Sequence, residues 1–197
     1  IISRTEKPKV SFANVAEGLH HISFTPDSKL AVVTNTKANS VSVLDVATLK
    51  KLADIKVANT PIKAAWLDKA ERFYVASVND TVISVVDPLK MIVDTQIKVG
   101  RGVVDVVADP QGRYVWVVNQ LDAKAYVIDS ATNKKIAYAK LTNEPDQITF
   151  TADYAYFRGL GSEKFALVNR TQLDKLPTQA NSGQQGMLTE LSVTQIQ

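Results

Sequence analysis

An all-β fold made of repeated units is what this sequence predicts, and three observations carry the prediction. The stretch Val41-Ser42-Val43-Leu44-Asp45 returns as Ile83-Ser84-Val85-Val86-Asp87, as Ala125-Tyr126-Val127-Ile128-Asp129 and, loosely, as Phe165-Ala166-Leu167-Val168-Asn169. The closing residues, at 45, 87, 129 and 169, lie 42, 42 and 40 positions apart. Around each copy run other short segments rich in β-branched and aromatic residues, the residues that fit a pleated, half-buried surface. Turn signals divide these segments about every eight to twelve residues, the spacing of an all-β chain.

Within the first repeat, residues 16–57, His21 to Phe24 is the first strand. It meets the turn Thr25-Pro26-Asp27-Ser28, where proline presets φ and the aspartate caps the turn. Leu30 to Asn35 forms the second strand, Val41 to Asp45 the third and Lys51 to Val57 the fourth. Residues 58–99 repeat the pattern, with Trp66 for Phe24, Tyr74-Val75-Ala76-Ser77 for Val32-Val33-Thr34-Asn35, and Asp87 for Asp45. Residues 100–141 do so again through Trp116-Val117-Val118-Asn119 and Asp129. In residues 142–197 a two-residue deletion in the first hairpin brings Tyr156-Phe157-Arg158-Gly159 to the second-strand position. Beyond Asn169 the pattern fades into a polar loop, Pro177 to Gly186, before Leu188 to Gln197, which reads as a displaced outer strand or a short helix. At the other end Lys9 to Val15 aligns with Lys51 to Val57, so residues 1–15 read as the outer strand of a preceding or closing unit.

Four short strands per unit make one small antiparallel sheet, and several of these strands are apolar on both faces, as in Ala64-Ala65-Trp66. Such a sheet needs a neighbour on each side, which radial stacking of blades in a β-propeller supplies. Phe24, Trp66 and Phe150, with Tyr74, Trp116 and Tyr156, are expected to fill the spaces between blades. Two β-sandwiches are the competing arrangement, and a fixed period with matching residue types at four positions argues against them. Four repeats are expected to be part of a larger ring, since an isolated arc exposes broad apolar faces. The alternatives are two copies closing an eight-blade ring, or a four-blade ring that Lys9 to Val15 closes while removing a free edge.

The segments VVTN, YVAS and WVVN, each followed by VSVLD, SVVD or YVID, resemble the YVTN-type β-propeller repeat over about four-fifths of the chain. Propellers of this kind are similar to archaeal surface-layer proteins, the heavy chain of methylamine dehydrogenase and the haem-binding propeller of cytochrome-type nitrite reductase. Lactonases of the sugar-acid pathway are more distant. The resemblance implies seven or eight blades and a periplasmic or extracellular location.

Composition narrows the functions. With 197 residues, 45% apolar and 22% charged, the chain is an ordinary globular protein of one or two domains. A net charge of +3, with lysines spread over turns and strand ends, shows no basic stripe for nucleic acid. No apolar run reaches membrane-spanning length, and Ile1 is not followed by a signal-peptide pattern. The lack of cysteine excludes thiolate chemistry and disulfides.

Candidate binding residues are the departures from the repeat. His20 and His21 are the only histidines, at the start of an innermost strand, and neutral imidazole can ligate haem iron or another metal. The repeat superposes His21, Lys63, Asp105 and Gln147 as one mixed polar ring able to take a small anion or carboxylate, or simply to wet a channel wall. Arg158 stands where Thr34, Ala76 and Val118 stand elsewhere, and must find a carboxylate, carbonyls or a ligand anion. Its plain reading is an ion pair with Glu163 or Asp153. Asp45, Asp87 and Asp129 recur in each intact repeat and read as turn-closing carboxylates. Asn79-Asp80-Thr81 and Asn169-Arg170-Thr171 match the glycosylation pattern, relevant only to a eukaryotic secreted protein. No catalytic motif and no metal-ligand spacing is present, so neither a catalytic residue nor a metal site is assigned.

These readings predict a non-enzymatic scaffold outside the cytoplasm, without a required cofactor, that binds a partner protein or ligand through its loop faces. Further blades or a second copy complete the ring. A periplasmic redox protein with haem or quinone over the channel is the alternative, and a lactonase-like hydrolase the third.

Overall fold

The computed structural model describes residues 11–142, 144–176 and 188–196. The first sheet contains β1 (Leu19–Phe24), β2 (Leu30–Asn35), β3 (Ser40–Asp45) and β4 (Lys51–Lys56). The second contains β5 (Pro61–Leu67), β6 (Arg72–Ser77), β7 (Val82–Asp87) and β8 (Ile92–Lys98). The third contains β9 (Val103–Ala108), β10 (Tyr114–Asn119), β11 (Lys124–Asp129) and β12 (Lys134–Lys140). The fourth begins with β13 (Pro145–Phe150), β14 (Tyr154–Gly159) and β15 (Phe165–Asn169). A short 3-10 helix, Arg170–Lys175, follows, and then β16 (Thr189–Leu191) and β17 (Val193–Ile196). The first four strands of each of the first three sheets, and β13 to β15 of the fourth, run as antiparallel meanders in chain order, and the innermost strands β1, β5, β9 and β13 lie side by side in that sequence.

The tail departs from a simple repeat. β17 pairs with β15 and takes the outer place of the fourth blade, whereas β16 adds to the third blade, parallel to β12. The displaced outer strand is therefore split between two blades. Because β17 fills that place, Ser11 to Ala16 does not close the fourth blade. These six residues form no strand, and Ala13 and Val15 pack on the first blade instead. Lys9 and the loop from Pro177 to Gly186 lie outside the described residues.

Alternation along each strand makes one blade face its neighbour on each side. Val32, Val41, Val43 and Ile55 of blade one pack on Ala64, Phe73, Val75 and Val86 of blade two. The same repeat positions form the second interface, where Tyr74, Ile83 and Val85 meet Val106, Val115, Val117 and Ile128. In the third, Trp116, Ala125 and Val127 meet Ile148, Ala155, Phe157 and Val168. The aromatic rings do fill these spaces: Trp66 meets Phe73 edge-on at 4.9 Å, and Trp116 lies 6.1 Å from Phe150 and 5.9 Å from Phe157. Phe24 and Tyr156 do not. They stand on the two blade faces without a neighbour, where Phe24 is 44% exposed and Tyr156 packs on Tyr154 within its own sheet.

Backbone geometry repeats with the sequence. Gly18, Thr60, Gly102 and Glu144, spaced 42 residues apart, all have positive φ just before an innermost strand. Leu49, Met91 and Asn133 share the same property between the third and fourth strands. The turn-closing carboxylates behave as expected. Asp45 accepts the Thr48 amide at 2.7 Å, Asp87 those of Leu89 and Lys90 at 2.9 Å, and Asp129 those of Ala131 and Thr132 at 2.9 and 3.2 Å. Asn169 keeps this role by accepting the Thr171 amide as N-cap of the 3-10 helix.

Candidate functional site

A bulge opens every innermost strand, at Leu19/His21, Pro61/Lys63, between Val103 and Asp105, and at Pro145/Gln147. It places His21, Lys63, Asp105 and Gln147 at equivalent positions opposite Thr34, Ala76, Val118 and Arg158 of the second strands. The four residues thus share one register position, and Lys63 and Asp105 among them join one blade to the next.

Lys63 Nζ of blade two donates to Asp105 Oδ1 of blade three at 2.5 Å. Asp105, 3% exposed, also accepts the amide of Val106 at 2.9 Å and, through Oδ2, the amide of Ile148 in blade four at 3.0 Å. One carboxylate therefore links three blades, with every oxygen engaged. A buried carboxylate is tolerated when it is paired and hydrogen-bonded in this manner. Asp105 has no oxygen left over, whereas Lys63, with its side chain 31% exposed, spends one of its three donors on this pair.

The histidines differ from each other. His20 is exposed, and its Nδ1 lies 2.7 Å from the Ile62 carbonyl of blade two. Because a carbonyl only accepts, Nδ1 carries a proton in that contact, and a neutral ring would keep its lone pair on Nε2. His21 anchors through its backbone amide to Thr34 Oγ1 at 3.0 Å, while its Nδ1 is buried without a partner. Burial, reinforced by the charges of Lys63 and His20, lowers the His21 pKa below the usual imidazole value, so this ring is neutral at pH 7.

Arg158 pairs with Asp146 on the adjacent innermost strand, through Nε at 3.1 Å and a closer Nη2 contact. Glu163 and Asp153, the partners its sequence position suggested, do not meet it. The bulge at Pro145/Gln147 brings Asp146 to Arg158 across two strands, a proximity that linear spacing does not report. The hollow beside Arg158, lined by Pro145, Phe157 and Lys164, has a volume of about 10 Å³. That is room for one water at most. The Arg158 side chain is itself 55% exposed, beside this hollow and not inside it.

A buried ion pair at the outer end of the third interface was hidden from sequence reasoning. Arg170, 5% exposed, donates from Nη2 to Asp109 Oδ2 at 2.7 Å and from Nη1 to the carbonyls of Thr151 and Ala152. Its signal was present, since Arg170 replaces Val46, Pro88 and Ser130 at the same repeat position. Among the described residues no group of three or more histidine or acidic side chains converges on a metal position. No helix is long and apolar enough to cross a membrane among those residues.

No family model and no curated protein matches the chain. Solved structures do. The chain is similar to hydrazine synthase of Kuenenia stuttgartiensis, with 22% identity and a TM-score of 0.69 over 81% of this chain and 47% of that one. It is also similar to the dihydro-heme d1 dehydrogenase NirN in complex with DHE, with 20% identity and a TM-score of 0.69 over 85% of this chain and 38% of that one. The fold is that of a β-propeller. The chain spans less than half the length of either structure, and identities this low carry the fold alone. By name one of these is a synthase and the other a dehydrogenase, a property of those proteins.

Proposed function

We propose that this chain is a non-enzymatic, extracytoplasmic propeller segment of the YVTN type that works in a larger ring and binds a partner protein or ligand through its loop faces. The observation that carries this reading is the use of the inner polar ring. Lys63 and Asp105 join blades two, three and four, and Asp146 and Arg158 pair within blade four, so these charges are engaged inside the fold. A rigid stack of blades leaves recognition to the connecting loops at its two ends, as is usual where a scaffold carries binding segments. The location rests on the resemblance of the repeat.

The alternative, a redox protein contacting haem, has one observation in its favour. His20 Nδ1 held on the Ile62 carbonyl orients Nε2 as an electron-pair donor, the arrangement that metal-bound imidazoles share. Haem would supply electron transfer. His20 would hold the iron, and the Ile62 carbonyl would fix the ring. The deciding experiment is titration of the purified chain with haem, followed by absorbance from about 350 to 700 nm, beside His20→Ala. The scaffold reading expects identical spectra for both proteins, those of free haem. A shifted Soret band in the parent that His20→Ala abolishes would overturn it in favour of the redox reading. The lactonase-like hydrolase stays third, because the acidic groups at the inner ring are tied up in pairs.

A further inference from the structure

We propose that the cleft between the first hairpin turns of blades two and three receives an arginine side chain of a partner protein. This gives a site and a partner chemistry to the loop-face binding proposed above, and it rests on that reading.

The three internal interfaces use equivalent positions but finish differently at the end that carries these turns. At the third, the guanidinium of Arg170 closes the gap. It meets Asp109 of blade three at 2.7 Å and the Thr151 and Ala152 carbonyls of blade four, and its Cζ lies 5.4 Å from the centre of the Phe150 ring. At the first, Trp66 holds the position of Phe150 and packs edge-on against Phe73. At the second, both fillers are missing. Ala108 stands in the place of Phe150, and Ser130 in that of Arg170. The backbone bears out the second equivalence: the Ser130 amide donates to the Arg113 carbonyl at 3.2 Å, as the Arg170 amide does to that of Asp153 at 2.8 Å. A serine side chain cannot span what an arginine spans.

The result is an open hollow of about 260 Å³, lined by Leu67, Asp68 and Lys69 of blade two and by Ala108, Pro110 and Gly112 of blade three. Small-molecule sites usually measure roughly 300–1,000 Å³, so this one suits a single side chain. It lies between turns, where a scaffold meets its partners.

Its walls resemble what holds Arg170. Asp109 and Pro110 carry carbonyls at the places of Thr151 and Ala152. The carboxylate has moved: Leu67 replaces Asp109, and the charge comes one residue later, on the exposed Asp68. Asp68 Oδ1 accepts the Trp66 indole N–H at 2.5 Å, which leaves Oδ2 for a second donor. Among the described residues Asp68 forms no ion pair. A guanidinium carries its donors in a planar fork, so it can meet a carboxylate and a carbonyl together while its stem covers Ala108. Lys69 is the opposing charge at the rim. Its stem runs beside Gly112, 3.8 Å from where a Cβ would stand there, and the residue is exposed.

Amide NMR titration of the chain with Nα-acetyl-arginine amide tests this, the two caps standing in for a peptide. Saturable shifts of the Lys69, Gln111 and Gly112 amides are expected, in the millimolar range that one side chain can supply. Nα-acetyl-citrulline amide, similar in shape but uncharged, should bind at least about fivefold less tightly. Asp68→Asn keeps the oxygen that accepts from Trp66 and should weaken arginine binding about two- to fivefold. Ala108→Phe installs the side chain that Phe24 and Phe150 place in other blades. It should keep the parent's far-ultraviolet circular dichroism and abolish the saturable shift. Any of four results would overturn the proposal: no saturable shift, an equal response to citrulline, undiminished binding in Asp68→Asn or in a folded Ala108→Phe, or free arginine binding about tenfold tighter than its capped form, which would make the amino acid the ligand. Such a failure leaves the scaffold reading standing, because the haem spectrum decides that reading separately.

Discussion

Asp109→Asn should cost this protein about 3–5 kcal/mol, the usual penalty for leaving a buried charge without its partner. The aspartate and Arg170 have side chains only 1% and 5% exposed, and the pair spans the third and fourth blades. Asparagine keeps the oxygen that accepts the amides of Arg113 at 2.8 Å and Tyr114 at 2.9 Å, so the turn itself survives. What changes is the group 2.7 Å from the guanidinium, where a neutral amide replaces the charge. Arg170 has no reserve, since its Nε already lacks a partner. Urea unfolding followed by tryptophan fluorescence reads the effect. With a slope of about 2–3 kcal/mol per molar urea, the midpoint should fall by roughly 1–2 M. The double variant Asp109→Asn/Arg170→Met removes both charges and should recover most of the loss, because a buried pair is worth little against apolar packing. A midpoint shift for Asp109→Asn below about 0.3 M would refute the reasoning, as would a double variant whose loss is the sum of the two single losses.

Three further predictions follow from the same geometry. Hydrogen bonds from the Thr25 hydroxyl and the Lys29 amide hold Asp27 at about 2, below its ordinary 3.8. Burial of Asp87 works against its charge, but the amides of Lys90 and Leu89 and the nearby Arg72 outweigh it and lower its pKa too. Folded values below unfolded ones mean stability that is present above about pH 4 and is lost as pH falls toward 2; a urea midpoint constant across that range would contradict this. Gly18→Ala should destabilise by about 1–3 kcal/mol, because φ is +85° and the new Cβ would lie 2.5 Å from the Lys37 amide nitrogen. Gly161→Ala, at φ +65° with open space around it, should cost less, and thermal melts of the two variants make the comparison. Burial first, and then the charge of Asp129, push the Tyr74 phenol up to about 12. Ultraviolet titration of Tyr74→Phe against the parent should therefore remove a component ionising near pH 12, and loss of one near pH 10 would refute the burial argument.

Much of this molecule was legible in the chain alone. The recurring Val-Ser-Val-Leu-Asp stretch and its spacing imply four four-stranded blades, because strand length, alternation and turn residues are local properties that each repeat states again. Asp45, Asp87 and Asp129 could be read as turn carboxylates for the same reason: the amides that donate to them lie two or three residues away. His21, Lys63, Asp105 and Gln147 could be placed at one level by superposing repeats. How Lys63 and Asp105 join blades was not available, because their partners across the blade interfaces sit 42 and 43 residues along the chain.

Only the tertiary structure decided how the departures from the repeat are used. It joined Arg158 to Asp146 through a bulge, and buried Arg170 beside Asp109 across 61 residues. It divided the tail between two blades, which left Ser11 to Ala16 without a sheet to close. Periodicity reports which face a side chain takes; pairing between distant charges depends on how blades stack. The sequence by itself determined the unit and its count, since these follow from local alternation. Stacking determined which polar residues are consumed in holding the blades.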